Sequence, residues 1–333
     1  MTHDNNPNEI TNNGIPRDHL NRPLVMPPKG KGKNRVAYQR TTNFVGVLEN
    51  LYNLMEWKQR KTVLGMGMRK DLVLAAAAAD PTDNKLLNDI AKKACEHAGS
   101  TAAATIGTAL HTLTEKLDKG NELGSFPTEY ENDLKAYEEA TRGLEWLNIE
   151  SFRVHDDWKV AGTADRIGKY PGQRPQIIDI KTGKIDYPHK MAMQLAMYAH
   201  SIPYDTNTDT RSADNPPLDL HTGIIIHLPA GQGRCDLYEI DISKGWGACQ
   251  IARQVWQWRA EKQLTHRVGD PRTTVWEKSN SRKNITYVDQ IPTTKTLDEL
   301  RFLWRVAEAN GELTEDFRAA ACKRSQQLSA AKP

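Results

Sequence analysis

Two aspartates and a lysine fall within one short stretch, Gly162 to Lys184, GTADRIGKYPGQRPQIIDIKTGK. In QIIDIKTG, period-2 alternation places Ile177, Asp179 and Lys181 on one face of a strand and Ile178 and Ile180 on the other. Two residues along a strand span roughly 6.6–6.8 Å, so Asp179 can hold a cation while Lys181 reaches a water on the far side of that ion. Asp165, on the preceding strand, faces the same place if the hairpin is in register. Two hard oxygen ligands then stand where magnesium or manganese takes them, at about 2.1 Å for magnesium. Taken alone, a D-x-K pair is an ordinary ion pair on a solvated sheet face, worth well under ~1 kcal/mol. What separates the two readings is whether other groups converge on the same point.

The flanking segments supply such groups. Upstream, TAAATIGTALHTLTEKLDKGN has Ile106, Leu110, Leu113 and Leu117 on one helical face, with Gly120 as a stop; His111 and Glu115 lie four apart on an adjacent stripe. Downstream, KMAMQLAMYAH is helical in period and carries Gln194 and Tyr198 one turn apart. Between them, Glu150 to Thr182 alternates and is bracketed by Gly and Pro, the pattern of an antiparallel meander. A helix is expected from Pro127 to about Leu147, and the polar segment IPYDTNTDTRSADNPPLD reads as an exposed loop. Two further strands, TGIIIHLP and CDLYEIDI, precede a Trp-rich helix, WGACQIARQVWQWRAEK. The helical spacing of Trp246, Trp256 and Trp258 points to packing, with base stacking as the alternative.

The rest of the chain frames this region. Residues 1–36 are rich in Asn, Pro and Gly and end in PPKGKGKNR, which reads as a disordered basic arm. Residues 37–104 have helical periodicity and 105–270 form the region just described. Residues 271–294 read as a linker, and 295–333 as a small helical module with Thr296 and Glu299 placed as a capping box and Gly311 as a break. The 333 residues carry 45 basic and 42 acidic side chains, a net +3, so any polyanion has to be met by a local patch. Arg253, Arg259, Lys262 and Arg267, with Lys58, Arg60, Lys61, Arg69 and Lys70, are candidate phosphate contacts. No apolar run approaches the roughly 18 residues needed to cross a bilayer, and the N-terminus lacks the order of a signal peptide, so no membrane partner and a cytoplasmic location are expected.

Taken in order, G-x-x-x-H-x-x-x-E, G-T-x-D, D-x-K-T-G and Q-x-x-x-Y resemble the RecB-like branch of the PD-(D/E)XK nuclease superfamily. The resemblance covers roughly Ile106 to Tyr198 and, more loosely, the chain up to about Lys262. It implies an α/β nuclease core, a mixed, mostly antiparallel central sheet flanked by helices, with a helical N-terminal segment and a small helical C-terminal module. It implies that His111, Asp165, Asp179 and the backbone carbonyl of Ile180 bind one or two Mg2+ or Mn2+ ions, and that Lys181 orients or deprotonates the attacking water. Gln194 would support that lysine and Tyr198 would hold the DNA backbone, with Glu115 and Glu150 as auxiliaries to a second ion or to His111.

The proline that names the superfamily is replaced by Ala164, a frequent change in this branch. The four cysteines, Cys95, Cys235, Cys249 and Cys322, lack the late trio that holds an iron-sulfur cluster in some members, so no cluster is expected. No G-x-x-x-x-G-K-[ST] loop is present. The activity implied is that of a stand-alone, metal-dependent DNA exonuclease acting on linear duplex ends in phage or bacterial recombination and repair. A single-strand annealing protein and further copies of the chain are the partners that go with it. The alternatives on the same residues are a structure-specific or restriction-type endonuclease, or a DNA-binding protein that keeps the fold without cleavage; retention of both aspartates and Lys181 counts against the last.

Overall fold

In the computed structural model, which describes residues 10–12, 14–262, 264–265 and 286–330, the chain divides into two compact units, Met1–Ala260 and Glu261–Pro333. The first opens on short strands, β1 (Ile10–Asn12), β2 (Ile15–Arg17), β3 (Leu24–Val25), β4 (Val36–Ala37) and β5 (Gln39–Arg40). β1 pairs with β2 and β3 with β4, both antiparallel. Ile15 and Val25 are buried in a cluster with Tyr38, Phe152, Val154, Ala161 and Tyr204. Residues 14–36 therefore fold onto the rest of the unit and are not the disordered arm that their composition suggests. Two apolar residues suffice because they complete a core built mainly by later strands. The Asp18 carboxylate also accepts the backbone N–H groups of Leu20 and Arg22, which closes the intervening turn.

Helices α1 (Thr41–Val45), α2 (Tyr52–Met68), α3 (Lys70–Ala78), α4 (Asn84–His97), α5 (Ala102–Asp118) and α6 (Glu131–Ala140) follow. α4 is capped by Asp83, whose carboxylate accepts the Leu86 N–H. α2 crosses α4 at Gly65, where an added Cβ would lie 1.8 Å from the Ala94 carbonyl oxygen. α6 ends at Ala140, short of the helix expected to run to about Leu147. Gly143 takes φ +98°, a conformation that stops the helix, and Trp146 already belongs to a strand.

That strand is β6 (Glu145–His155), followed by β7 (Val160–Lys169), β8 (Gln176–Lys181), α7 (Pro188–Ala199), β9 (Ile202–Asp205), β10 (Thr210–Arg211), β11 (Thr222–His227), β12 (Asp236–Asp241) and α8 (Ile242–Arg259). The sheet order is β10-β9-β6-β7-β8-β11-β12, with β5 alongside β7. The β8–β11 and β5–β7 pairs are parallel and the others antiparallel. The architecture is α/β, a mixed and mostly antiparallel sheet flanked by helices. α7 is the crossover that a parallel β8–β11 pair requires. β9 and β10 lie within the stretch read from sequence as an exposed loop; Tyr204 is buried there, so an apolar anchor inside polar turn residues made a hairpin.

Alternation on β8 sorts its side chains between two cores. Ile177 packs with Leu195, Met197 and Tyr198 of α7, and Ile178 and Ile180 pack with Tyr137, Ile224 and Ile226. α8 approaches α7 at Gly245, where a Cβ would fall 2.2 Å from the Ala192 carbonyl oxygen. Two buried arginines tie the layers together. Arg153 donates to the Asp214 carboxylate and to the carbonyls of Tyr198 and Ser201 at the end of α7. Arg166 of β7 meets Asp118 of α5 at 2.6 Å, and the same Asp118 oxygen accepts the Tyr137 hydroxyl at 2.7 Å.

The second unit contains α9 (Tyr287–Gln290), α10 (Leu297–Ala309) and α11 (Glu315–Ala330) around a core of Ile291, Leu300, Leu303, Ala307, Phe317 and Ala321. Thr296 accepts the Glu299 N–H as the cap of α10, and Gly311 takes φ +72° after it. Of the linker read over 271–294, residues 271–285 lie outside the described residues. Ile291, at its other end, is part of the helical core. Among the described residues no helix is long and apolar enough to cross a membrane.

Removing one partner of a buried ion pair strands the other charge, which costs about 3–5 kcal/mol. Asp118→Ala is therefore expected to lower the unfolding free energy by about that much in urea titrations. A loss as small as that of an exposed-pair variant such as Arg234→Ala would remove the structural role given to Arg166.

Candidate active site

β7 and β8 are antiparallel neighbours in the register Arg166↔Ile178 and Ile167↔Ile177. Continuing that register by one position sets Asp165 across from Asp179. Asp165 Oδ2 accepts the Ile180 N–H at 2.9 Å, and His111 Nδ1 of α5 stands 3.5 Å from the same oxygen. Lys181 Nζ is 2.5 Å from Asp179 Oδ2. From α7, Gln194 Nε2 donates to Asp179 Oδ1 at 3.1 Å and lies 3.4 Å from the Tyr198 hydroxyl. Residues from two strands and two helices, spread over 88 positions from His111 to Tyr198, thus meet around one pair of carboxylates.

Two glycines make the meeting possible. At Gly107 an added Cβ would lie 2.7 Å from Thr182 Oγ1, so the glycine lets α5 pass close to the end of β8 without displacing that hydroxyl and present His111 one turn later. At Gly162 a Cβ would lie 2.7 Å from Thr41 Oγ1 and 3.0 Å from the Tyr198 ring. The ladder between β6 and β7 lacks a bridge at the site without any change of register, its one register shift lying between Trp146 and Asn148. Pairing runs through Ile149↔Arg166 and resumes at Ser151↔Ala164, leaving out Glu150 and Asp165. Glu150 has φ +55°, an uncommon conformation for a glutamate.

The electrostatics follow from gathering acids out of water. Burial, and then the Asp165 charge, push Asp179 up to about 6. Burial also raises Asp165, and burial followed by the charges of Asp165 and Glu115 raises Glu150 to about 7. Burial lowers His111, which favours the neutral imidazole that ligates metals. Asp179 Oδ2 is buried with no hydrogen bond, although Lys181 contacts it as an ion pair. A raised carboxylate set, a buried carboxylate oxygen met only by an ammonium, a neutral histidine and a backbone carbonyl fit a hard divalent cation such as Mg2+ or Mn2+. As they stand, no three His, Cys, Asp or Glu side chains among the described residues are arranged as a ligand shell. Asp179 is turned toward Lys181 and Gln194, and Asp165 toward the Ile180 N–H.

Several residues occupy places other than those expected. Tyr198, expected at the DNA backbone, is 4% exposed and backs Gln194 from inside the core. Glu115 pairs with Lys119 at 2.5 Å and not with His111. Glu150, an auxiliary by sequence, sits opposite Asp165, 3.5 Å from Arg166 Nη1. Trp246 and Trp256 are half-buried against the core, in line with their spacing, while Trp258 is 61% exposed. Of the candidate phosphate contacts, Lys61 donates to the Ala98 carbonyl and Arg69 pairs with Asp71, whereas Arg253 lies over the Trp158 ring; Arg267 lies outside the described residues. Sequence reasoning missed Asp118 and Arg166, whose only signal was charge within otherwise apolar segments.

Neither a scan against protein-family models nor a search of curated proteins returns a match.

A carboxylate raised on folding destabilises the native state once it ionises. For Asp179 that cost is absent below about pH 4, the ordinary value, and complete above about pH 6. At pH 7.5 without metal, Asp179→Asn is therefore expected to melt above the wild type. In Mn2+ the order reverses, because a ligand at 100 times its Kd stabilises by about 2.7 kcal/mol and the variant has lost a ligand. Equal Mn2+ shifts in both proteins, read by calorimetry, would remove Asp179 from any metal site.

Proposed function

We propose that this chain is a metal-dependent DNA nuclease built on a PD-(D/E)XK core of the RecB-like branch, and that it acts as an exonuclease on linear DNA. The observation that carries the reading is the convergence of Asp165, Asp179, Lys181, Gln194 and His111, which the chain separates and the fold brings into contact. The sheet order, with two acidic strands adjacent and helices from either side reaching them, supports it. So does the raised carboxylate set, whose uncompensated charge a divalent cation would relieve.

Asp165, Asp179, His111 and the Ile180 carbonyl would hold the ion. When bound, it supplies acidification of water and neutralisation of charge on the phosphoryl oxygens. Lys181 is anchored at Asp179 yet partly open to solvent, so its ammonium can orient a water against a phosphorus and stabilise negative charge as it builds. Gln194 fixes the Asp179 carboxylate, and Tyr198 fixes Gln194, so both act through position. An entry path for DNA is consistent with the half-exposed His111 and Lys181 at the edge of the cluster.

The test compares linear duplex, closed circular duplex and single-stranded DNA, each with Mg2+, Mn2+ or a chelator, for the wild type and Lys181→Ala. Metal-dependent loss of the linear substrates is expected, with closed circles intact and Lys181→Ala slower by about 100-fold or more. Cutting of closed circles would replace the exonuclease with an endonuclease. Absence of metal-dependent cleavage on every substrate would overturn the nuclease, and full activity in Lys181→Ala would overturn the mechanism.

A further inference from the structure

A pocket of about 300 Å3 opens between α1, the start of β7 and α8, away from the acidic cluster. Phe44, Trp158 and Trp256 form its apolar walls. These rings are held from behind. Trp158 stacks on Trp246 at 4.7 Å and 2°, Trp246 stacks on His200 at 3.8 Å and 9°, and the Trp256 indole N–H donates to the Phe44 carbonyl at 3.1 Å. The walls are thus preformed, as ligand pockets usually are, and the volume sits at the lower end of the roughly 300–1,000 Å3 of such sites.

The rim carries Asp157, Arg253 and Gln257. None of the three makes a side-chain hydrogen bond or ion pair among the described residues; Arg253 only rests its guanidinium 5.1 Å from the Trp158 ring centre. A carboxylate acceptor, an amide that donates and accepts, and a cation with its donors open therefore surround a flat aromatic slot. An aliphatic ligand would leave all three unused, and bare phosphate would meet Asp157 as well as Arg253. A heteroaromatic base fits each feature: its face stacks on the indole rings, its edge bonds to Asp157 and Gln257, and an attached phosphate pairs with Arg253. A base inside a duplex cannot enter such a slot, so the base must be unpaired.

We propose that this pocket binds one unpaired nucleotide unit, base inward and phosphate on Arg253. Val160 lines the pocket and Asp165 lies five residues further along β7, about 17 Å at the rise of a strand. If the proposed reaction holds, the unit is the frayed or overhanging end of the DNA being cut. The clause about DNA rests on that reading, whereas nucleotide binding itself does not.

The experiment is run in chelator, so that no cleavage is required and failure of the nuclease reading leaves it intact. Tryptophan fluorescence is titrated with each deoxynucleoside monophosphate, inorganic phosphate, blunt duplex, and the same duplex with a three-nucleotide overhang. Saturable quenching by a nucleotide or by the overhang is expected, with phosphate and blunt duplex ineffective. Arg253→Ala and Gln257→Ala, which break no internal hydrogen bond, are expected to keep the wild-type melting temperature and to weaken binding by about tenfold or more. Overhang binding tighter than that of the free nucleotide assigns the strand end as the ligand, and equal binding assigns the free nucleotide. No saturation by any nucleotide or overhang, equal displacement by phosphate, or wild-type affinity in both variants would overturn the proposal.

Discussion

Arg166 and Asp118 meet at 2.6 Å with their side chains 1% and 5% exposed, and this contact joins the last turn of α5 to the middle of β7. Tyr137 of α6 donates to the same carboxylate, so three elements share one buried anchor. Two charges brought out of water gain little net stability over an apolar pair, but they fix one geometry because each is costly to leave unpaired. Here that geometry sets the height and rotation of α5. His111 lies two turns before Asp118 on the same helix, so its reach to Asp165 depends on where the anchor holds the helix end.

The opposite side of the cluster is built by different means. The C-terminal half of α7 is buried, and Arg153 collects the carbonyls of Tyr198 and Ser201 at its C-terminal end while pairing with Asp214. This satisfies groups that a helix end otherwise leaves without partners. Gly245 lets α8 lie directly on α7. From α7 so placed, the Gln194 amide donates to Asp179 and reaches the Tyr198 hydroxyl. The two carboxylates are thus opposed by rigid neighbours from both faces, a condition under which their repulsion is retained and their affinity for protons or cations rises.

Glu150 belongs to the same arrangement, standing opposite Asp165 in the register shared by the pairs on either side. Glu150 takes φ +55°, a backbone strain that the flanking pairs Ile149↔Arg166 and Ser151↔Ala164 sustain. Strain and buried acids coincide where the proposed chemistry would occur. The aromatic pocket at the other end of β7 has the contrary character: relaxed stacking, few charges and polar groups held ready at its rim.

The sequence by itself determined the strands and helices that carry the site. Alternation in QIIDIKTG and the helical period around His111, Gln194 and Tyr198 depend on local geometry, and local geometry is written in spacing. It also determined which residue types could act together. Tertiary structure alone decided that Tyr198 is buried, that Glu115 turns to Lys119, and that Glu150 stands beside Asp165. It decided as well that residues 14–36 fold, because Ile15 and Val25 find a core made by Phe152, Val154 and Tyr204 far along the chain. Burial and the choice among ionic partners are properties of what lies opposite in space, and neither period nor composition records that.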